Sequence, residues 1–192
     1  MQYKENTSLK EEIIEQDELP QKARLDRISS LSPIFSPTGT ITAASTSGIA
    51  DGAAALLLMR ASRAESLGLQ PRARIIAHAS HALAPERFTE APIQSIKNLL
   101  ETAHWSAEQV DLYEINEAFA LVPLLAMKAL DLPPEKINIF GGSCALGHPL
   151  GASGARIVVT LLNALEHTQT KRGIASLCIG GGEALSLAIE RC

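Results

Sequence analysis

The segment NIFGGSCALGHPLGASGARIVVTLLNAL, residues 138–165, carries more structural instruction than any other part of the chain. A short apolar run (Ile137, Ile139, Phe140) reads as a strand entering a glycine turn at Gly141-Gly142. A loop then presents His148 just before Pro149, and a proline disfavours helical backbone at the residue it follows, so this imidazole belongs to an extended loop. Ser153 reads as the N-cap of the next segment. Residues 155–165 are apolar on nearly every side, with only Arg156, Thr160 and Asn163 interrupting them. A helix of that kind is buried on all sides, as the middle layer of a larger fold. Strand, glycine turn, loop histidine and buried helix together describe an active-site floor. Most loop histidines do no chemistry, but few stand among so many glycines.

The rest of the composition narrows the class. The chain has 192 residues and a net charge of -4, enough for one full domain plus an extension. A mildly negative charge and 4% aromatic residues speak against nucleic acid. The apolar run at residues 53–59 is far too short to span a bilayer, and the charged amino terminus lacks the apolar core of a signal peptide. Three cysteines (Cys144, Cys178, Cys192) form neither a metal spacing nor an even disulfide set. Reduced thiols, a cytoplasmic setting and no bound metal are therefore expected.

Residues 1–24 are polar, and so few apolar groups cannot offset chain entropy, so an exposed arm is expected. Leu25, Ile28 and Leu31 recur at helical spacing until Pro33 ends that turn. Ile34-Phe35 is an apolar pair on a loop, whose plain reading is a plug against the core. Residues 40–43 read as a strand, followed by a small-residue loop through Ser47-Gly48. Residues 53–59 (AAALLLM) have no periodicity that separates helix from strand, but their length leans towards a buried strand. A helix over 61–67 with Gly68 after it, a strand over 74–79 and an amphipathic helix over 92–102 follow. Ser106 caps a short turn, and residues 110–115 make another strand.

Asn116 and Glu117 then stand at the carboxyl end of that strand, where ligand sites in α/β folds gather. Both residue types also favour a helix start, so capping of a helix reaching Leu130 is an equal reading. Near the carboxyl terminus residues 174–179 and 183–189 form a hairpin around Gly180-Gly181-Gly182, and such glycines let a backbone approach a ligand with its N–H groups free. Cys178 sits on the brink of that bend. A buried strand cysteine is usually packing, and Cys144 reads as packing and Cys192 as a frayed tail. The alternation of strands and helices gives an α/β class with a division into a polar arm (1–38) and a domain (39–192).

Three of these motifs together resemble one family. NEAFA at 116–120, GGSCALGHPLGASGAR at 141–156 and CIGGG at 178–182 are similar to the carboxyl-terminal signatures of thiolases, the acetyl-CoA acyltransferases. GTITAASTSGIADGAAALLLM, residues 39–59, resembles the family's CoA-contacting segment, with Ser45-Thr46-Ser47-Gly48 where Asn-Ala-Ser-Gly is usual. The order is kept, and 32 positions separate Asn116 from His148 and 30 separate His148 from Cys178. The resemblance implies the carboxyl-terminal half of the layered thiolase fold, a mixed sheet with helices and one helix buried as the central layer. It implies thiolysis of 3-ketoacyl-CoA or condensation of two acetyl-CoA, with CoA thioesters as substrates and no prosthetic group.

By the same resemblance Cys178 is the acid/base, and His148 activates the nucleophilic cysteine and binds the thioester oxygen. Asn116 holds a water in that oxyanion site, and the Gly180 amide serves the other. Ser47, Ala43, Ile34, Phe35, Phe88, Ala118 and Phe119 match positions lining the CoA or acyl channel. Enolate chemistry calls for such a base and such donors, and a thiol serves as base only where neighbours lower its pKa. The nucleophilic cysteine itself belongs to the family's amino-terminal half and has no counterpart here. A partner supplying that half, a homo-oligomeric assembly and inactivity alone are therefore expected. The competing expectations are a CoA-binding or assembly subunit without catalysis, and a truncated gene product.

Overall fold

The structure is a computed structural model that describes residues 2–5, 8–11, 13 and 15–192. Of the expected polar arm, residues 1, 6, 7, 12 and 14 lie outside the described residues. Its backbone forms an antiparallel pair, β1 (Gln2–Glu5) with β2 (Ser8–Glu11), and a short helix α1 (Glu18–Lys22). Residues 15–24 are exposed, in keeping with their composition. The helical spacing at Leu25 yields a 3-10 turn, Leu25–Ser30.

The body is a four-stranded mixed sheet in the order β3-β6-β5-β4, built from β3 (Ala73–Ala82), β4 (Leu112–Ile115), β5 (Arg172–Ile179) and β6 (Glu183–Arg191). β4 and β5 are parallel, and β6 is antiparallel to both neighbours. Helices cover both faces, as the alternation of elements leads one to expect. They are α2 (Ala61–Ser66), α3 (Ala91–Ala103), α4 (Leu121–Leu130), α5 (Ser143–Leu146) and α6 (Ser153–Thr168).

Strand alternation divides the core in two. On one face Tyr113, Ile115, Ile174, Cys178 and Ala188 pack against Ile96 and Leu99 of α3 and Val122 and Ala126 of α4. On the other, Leu112, Ala175 and Ile189 meet Ile157, Leu161, Leu162 and Leu165 of α6. Small polar groups let α3 approach closely: the hydroxyls of Ser95, Ser186 and Ser176 form a chain with links of 2.8 Å.

Several elements depart from the sequence reading, each for a local reason. Residues 40–43 form no strand; Thr42 makes an isolated bridge with Pro33, and Ala43–Ser45 is a 3-10 turn. There Ser45 Oγ accepts from the Thr42 N–H at 3.0 Å, and such local bonds compete with a sheet ladder. Residues 53–59 take no regular element, because no described strand lies beside them to complete a ladder. Ile137 makes only a single parallel bridge with Tyr113. α4 begins at Leu121 rather than at Asn116, since residues 116–120 have given their backbone bonds to other segments. Ser153 caps nothing; it is the first residue of α6, and its hydroxyl turns to His148 and to the Pro149 carbonyl. α6 buries one face within this chain, while Ala155 and Val159 on its other side are only half covered. The pair Ile34-Phe35 is no plug: Phe35 is 69% exposed.

Candidate active site

β4 carries its hydrogen bonding one residue past its end, where the Asn116 N–H donates to the Ser176 carbonyl at 2.9 Å. That bond fixes Asn116 at the carboxyl end of two parallel strands. Its side chain is 1% exposed. The capping reading falls, since Asn116 precedes the start of α4 by five positions.

The Asn116 amide is oriented by its surroundings. Oδ1 accepts from Ser143 Oγ at 2.7 Å and from Arg156 Nη2 at 3.2 Å. Nδ2 is thereby turned to His148 Nε2, 3.4 Å away. The other ring nitrogen, Nδ1, lies 2.5 Å from Ser153 Oγ. Two segments distant in sequence therefore meet. Burial lowers the His148 pKa from its ordinary value, and the positive charge of Arg156 lowers it further. A neutral imidazole at neutral pH is the consequence.

Beneath them a buried carboxyl and a partly buried guanidinium face each other. Glu114, on the same strand edge as Asn116, is buried, and its Oε2 stands 3.8 Å from Arg156 Nη1. That distance is a charge contact, too long for a hydrogen bond. Arg156 Nη1 is buried with no hydrogen-bond partner among the described residues. Burial pushes the Glu114 carboxyl up to about 8 against the opposing pull of Arg156, and the charge of Glu117 pushes it the same way.

Glu117 braces the loop that carries the histidine. Its carboxylate accepts from Asn138 Nδ2 at 2.9 Å and from the Cys144 N–H at 3.0 Å. A Cβ at 142 would lie 2.4 Å from the Glu117 carboxyl carbon, so a side chain there would push that carboxylate off Asn138 and Cys144. Cys144 is indeed a half-buried packing residue, its thiol pushed up to about 11 by burial, then by the Glu117 charge and hydrogen bond.

The small-residue loop at 45–50 ties the two motifs together. The Ser47 N–H and Oγ both donate to the Ala118 carbonyl, at 3.2 and 3.0 Å, and the Ala120 N–H donates to Ser45 O at 3.0 Å. One residue on, Gly48 O accepts from the His148 N–H at 2.7 Å. Phe119 is the hub of an aromatic group: its ring lies 5.9 Å from Phe35 and 6.1 Å from Phe88. The structure thus gathers Ser47, Ala118, Phe119, Phe35 and Phe88. Ala43 stands exposed on the adjoining turn, and Ile34 is half exposed, held by a backbone bond from its N–H to Ile41 O at 2.9 Å.

Cys178 lies near the same end of the sheet, on the neighbouring strand. Its side chain faces α3 and α4, whereas Asn116 turns to α6. No hydrogen bond joins it to His148 among the described residues. It is 7% exposed, and burial pushes its thiol up to about 11. A backbone hydrogen bond pulls the other way, but burial outweighs it, so the net shift is opposite to the lowering that a base requires. The glycine bend beyond it is anchored at Gly182, which has φ +101 and O accepting from the Leu83 N–H at 2.9 Å. A Cβ there would meet Leu83 O at 2.3 Å. Gly180 is exposed, and its N–H donates to no group among the described residues.

Sequence reasoning missed Glu114, Ser143 and the roles of Arg156, Ser153 and Glu117. A signal existed: Arg156 is the only charged side chain in the apolar run of 155–165, and a charge there needs a buried partner. No cluster of three or more His, Cys, Asp or Glu able to hold a metal exists among the described residues. Among them, too, no helix is long and apolar enough to cross a membrane.

Known proteins of one family resemble this chain along most of its length. The family profile described as "Thiolase, C-terminal domain" matches residues 69–191, and "Thiolase, N-terminal domain" matches residues 2–62. A "Probable acetyl-CoA acetyltransferase" of Dictyostelium discoideum is 47% identical over 92% of this chain and 42% of its own length. An "Acetyl-CoA acetyltransferase, cytosolic" of Rattus norvegicus is 48% identical over 91% of this chain and 45% of its own. Among solved structures, the acetyl-CoA acetyltransferase of Bacillus anthracis superposes with a TM-score of 0.92 at 40% identity, covering 100% of this chain and 48% of that one. A human mitochondrial 3-ketoacyl-CoA thiolase in complex with CoA gives 0.85 at 34% identity, covering 93% and 46%. The chain spans less than half the length of these relatives.

Proposed function

Because this chain belongs to the thiolase family, we propose that it acts as the carboxyl-terminal half of an acetyl-CoA acyltransferase, exchanging acyl groups between CoA thioesters. The observation that carries the reading is the meeting of Asn116 and His148 at 3.4 Å at the ends of two parallel strands. The arm of residues 1–38 and the domain of residues 39–192 contribute to one site, since Phe35 of the first packs on Phe119 of the second.

In thiolysis, His148 Nε2 takes the proton of a nucleophilic thiol supplied by an amino-terminal half. The thiolate adds to the 3-keto carbon, whose oxyanion faces the Gly180 amide, and the new imidazolium, beside Asn116, donates to the thioester oxygen on which the enolate charge develops. The bond between the α and β carbons breaks. Its electron pair forms the enolate of acetyl-CoA, which takes a proton from Cys178. The Cys178 thiolate then removes the proton of an incoming CoA thiol, whose sulfur attacks the acyl-enzyme while the Gly180 amide faces the second oxyanion. The shortened acyl-CoA leaves, and the nucleophilic thiol regains its proton from His148. Condensation of two acetyl-CoA is the reverse course. His148 reaches the site on a loop and Cys178 near the end of β5, so the substrate lies across the strand tips.

Ser47, Ala43, Ile34, Phe35, Phe88, Ala118 and Phe119 form the wall for the CoA or acyl moiety, a reading supported for Ser47, Phe35, Phe88 and Ala118 by their gathering at Phe119. Assembly with the missing half, and of such units into a homo-oligomer in the cytoplasm, completes the proposal; three of the similar proteins bear the word cytosolic in their names.

The test is to assay the purified chain for thiolysis of acetoacetyl-CoA, alone and with a thiolase amino-terminal half. The expected result is no turnover alone and turnover on addition, because covalent catalysis needs the nucleophile. Robust turnover by the chain alone would sink the half-enzyme reading. In the assembled enzyme, Cys178→Ser should abolish α-proton exchange of acetyl-CoA yet spare acylation of the partner's thiol. Wild-type exchange in that variant would remove Cys178 from the role of base.

A further inference from the structure

The partly buried cation of α6, Arg156, has no place in the chemistry above, yet it touches the site. Asn116 is an amide whose two ends differ only by their partners. Ser143 Oγ and Arg156 Nη2 both donate to its oxygen, at 2.7 and 3.2 Å. Arg156 Nη2 also donates to Ser143 Oγ at 3.1 Å, closing a triangle that leaves the serine hydrogen free to point at Asn116. The amide nitrogen must then face His148 Nε2, which can only accept from it. On the far side of the ring, the single hydrogen of Ser153 Oγ is used on the Pro149 carbonyl at 3.0 Å. That hydroxyl is left to accept from the His148 Nδ1–H. The hydrogen bonds from α6 and α5 thus run in one direction and end on a bare Nε2 lone pair.

We propose that Arg156 is a positioning residue for His148: through Asn116 it selects the imidazole form that carries its proton on Nδ1, and its charge keeps that ring neutral until a thiol proton arrives. The use made of the lone pair rests on the thiolase reading; the orientation of the ring does not. Glu114 holds Arg156 in place from β4, at 3.8 Å, and does so without spending a hydrogen bond on it. This leaves Nη2 for Asn116 and Ser143. The lowered pKa of His148 is in accord, with Arg156 as its named charged neighbour. The other ionisable groups on the elements around it are Glu114 of β4, Glu117 after β4, Cys144 of α5, Asp51 of the facing loop and the paired Glu18 and Lys22 of α1.

The experiment is nitrogen NMR of histidine-labelled full-length chain across pH, with His148 assigned by loss of its signals in His148→Gln. The wild-type ring should show a protonated Nδ1 and a bare Nε2, and should titrate below an ordinary histidine. Arg156→Gln should raise the titration midpoint and mix the two tautomers; Arg156→Lys, which restores the charge, should return the midpoint towards wild type. Circular dichroism confirms the fold of each variant. A wild-type ring protonated on Nε2 would overturn the proposal by itself, whatever the variants do. So would a folded Arg156→Gln with an unchanged His148 spectrum. Neither readout needs turnover, so a failed thiolysis assay with the predicted spectra would remove the function and leave the positioning role standing.

Discussion

Two apolar runs of similar length meet opposite fates in this molecule. Residues 174–179 (IASLCI) become the inner part of β5, paired to β4 on one edge and β6 on the other. Residues 53–59 (AAALLLM) are more apolar still, yet they pair with nothing and leave Leu57 83% and Leu58 67% exposed. Leu56 alone reaches the α6 cluster. Intrinsic strand preference is the same order of weak bias for both. What separates them is whether another segment offers backbone partners and a face to pack on. A strand without neighbours has no ladder, and the described part of this chain supplies neighbours to only one of the two. The uncovered side of α6 makes the same point at a helix.

Hydrogen exchange should give the widest contrast. Amides of residues 173–178 are expected to be protected by a factor of about 10³ or more, approaching global unfolding, and those of 53–59 hardly at all. Matching protection in both runs would break the comparison. Adding the amino-terminal half should sharpen it, by protecting 53–59 while leaving 173–178 as they were.

Mutation should show the same ranking in free energy. Leu161, fully buried between α6 and the sheet, should cost about 2–5 kcal/mol on change to alanine, measured by urea unfolding. Leu57→Ala should stay within about 0.5 kcal/mol in the isolated chain. In the assembled enzyme, Leu57→Ala should become costly.

The ion pair beneath the site gives a smaller effect with a definite sign. The folded-state value of Glu114, about 8, stands above its ordinary 4.5, so the folded chain holds that proton more tightly than the unfolded one. Stability from this group is then fully present below about pH 4.5 and declines as pH rises towards about 8. Glu114→Gln should flatten that part of the pH–stability curve. An unchanged slope would mean that Arg156 keeps the carboxylate ionised throughout.

The mildest contrast is in thiol reactivity. Cys192 is exposed while Cys144 and Cys178 have thiols raised to about 11 by burial. Iodoacetamide at neutral pH should therefore modify Cys192 first, with the order read by mass spectrometry. Early modification of Cys178 would show that its thiolate is favoured by something other than its burial.

How far the sequence alone could go follows from the range of the forces involved. Short-range signals were legible: the amphipathic spacing of α3, Ser106 before its 3-10 turn, Gly68 after α2, and the glycine bend between β5 and β6. Each depends on neighbours within a few residues, so its cause is written beside it. The order and spacing of the three motifs also carried the family, and with it the candidates Asn116, His148 and Cys178. The sequence did not reveal that Ser153 turns to His148 instead of capping α6, that Asn116 lies outside α4, or that Glu114 faces Arg156 under the site. These outcomes hang on hydrogen bonds and charge contacts between residues 5 to 75 positions apart, and a local pattern cannot say which of several equivalent donors will find which acceptor. Tertiary structure decided them, because a buried polar group takes whichever partner the packing brings within reach.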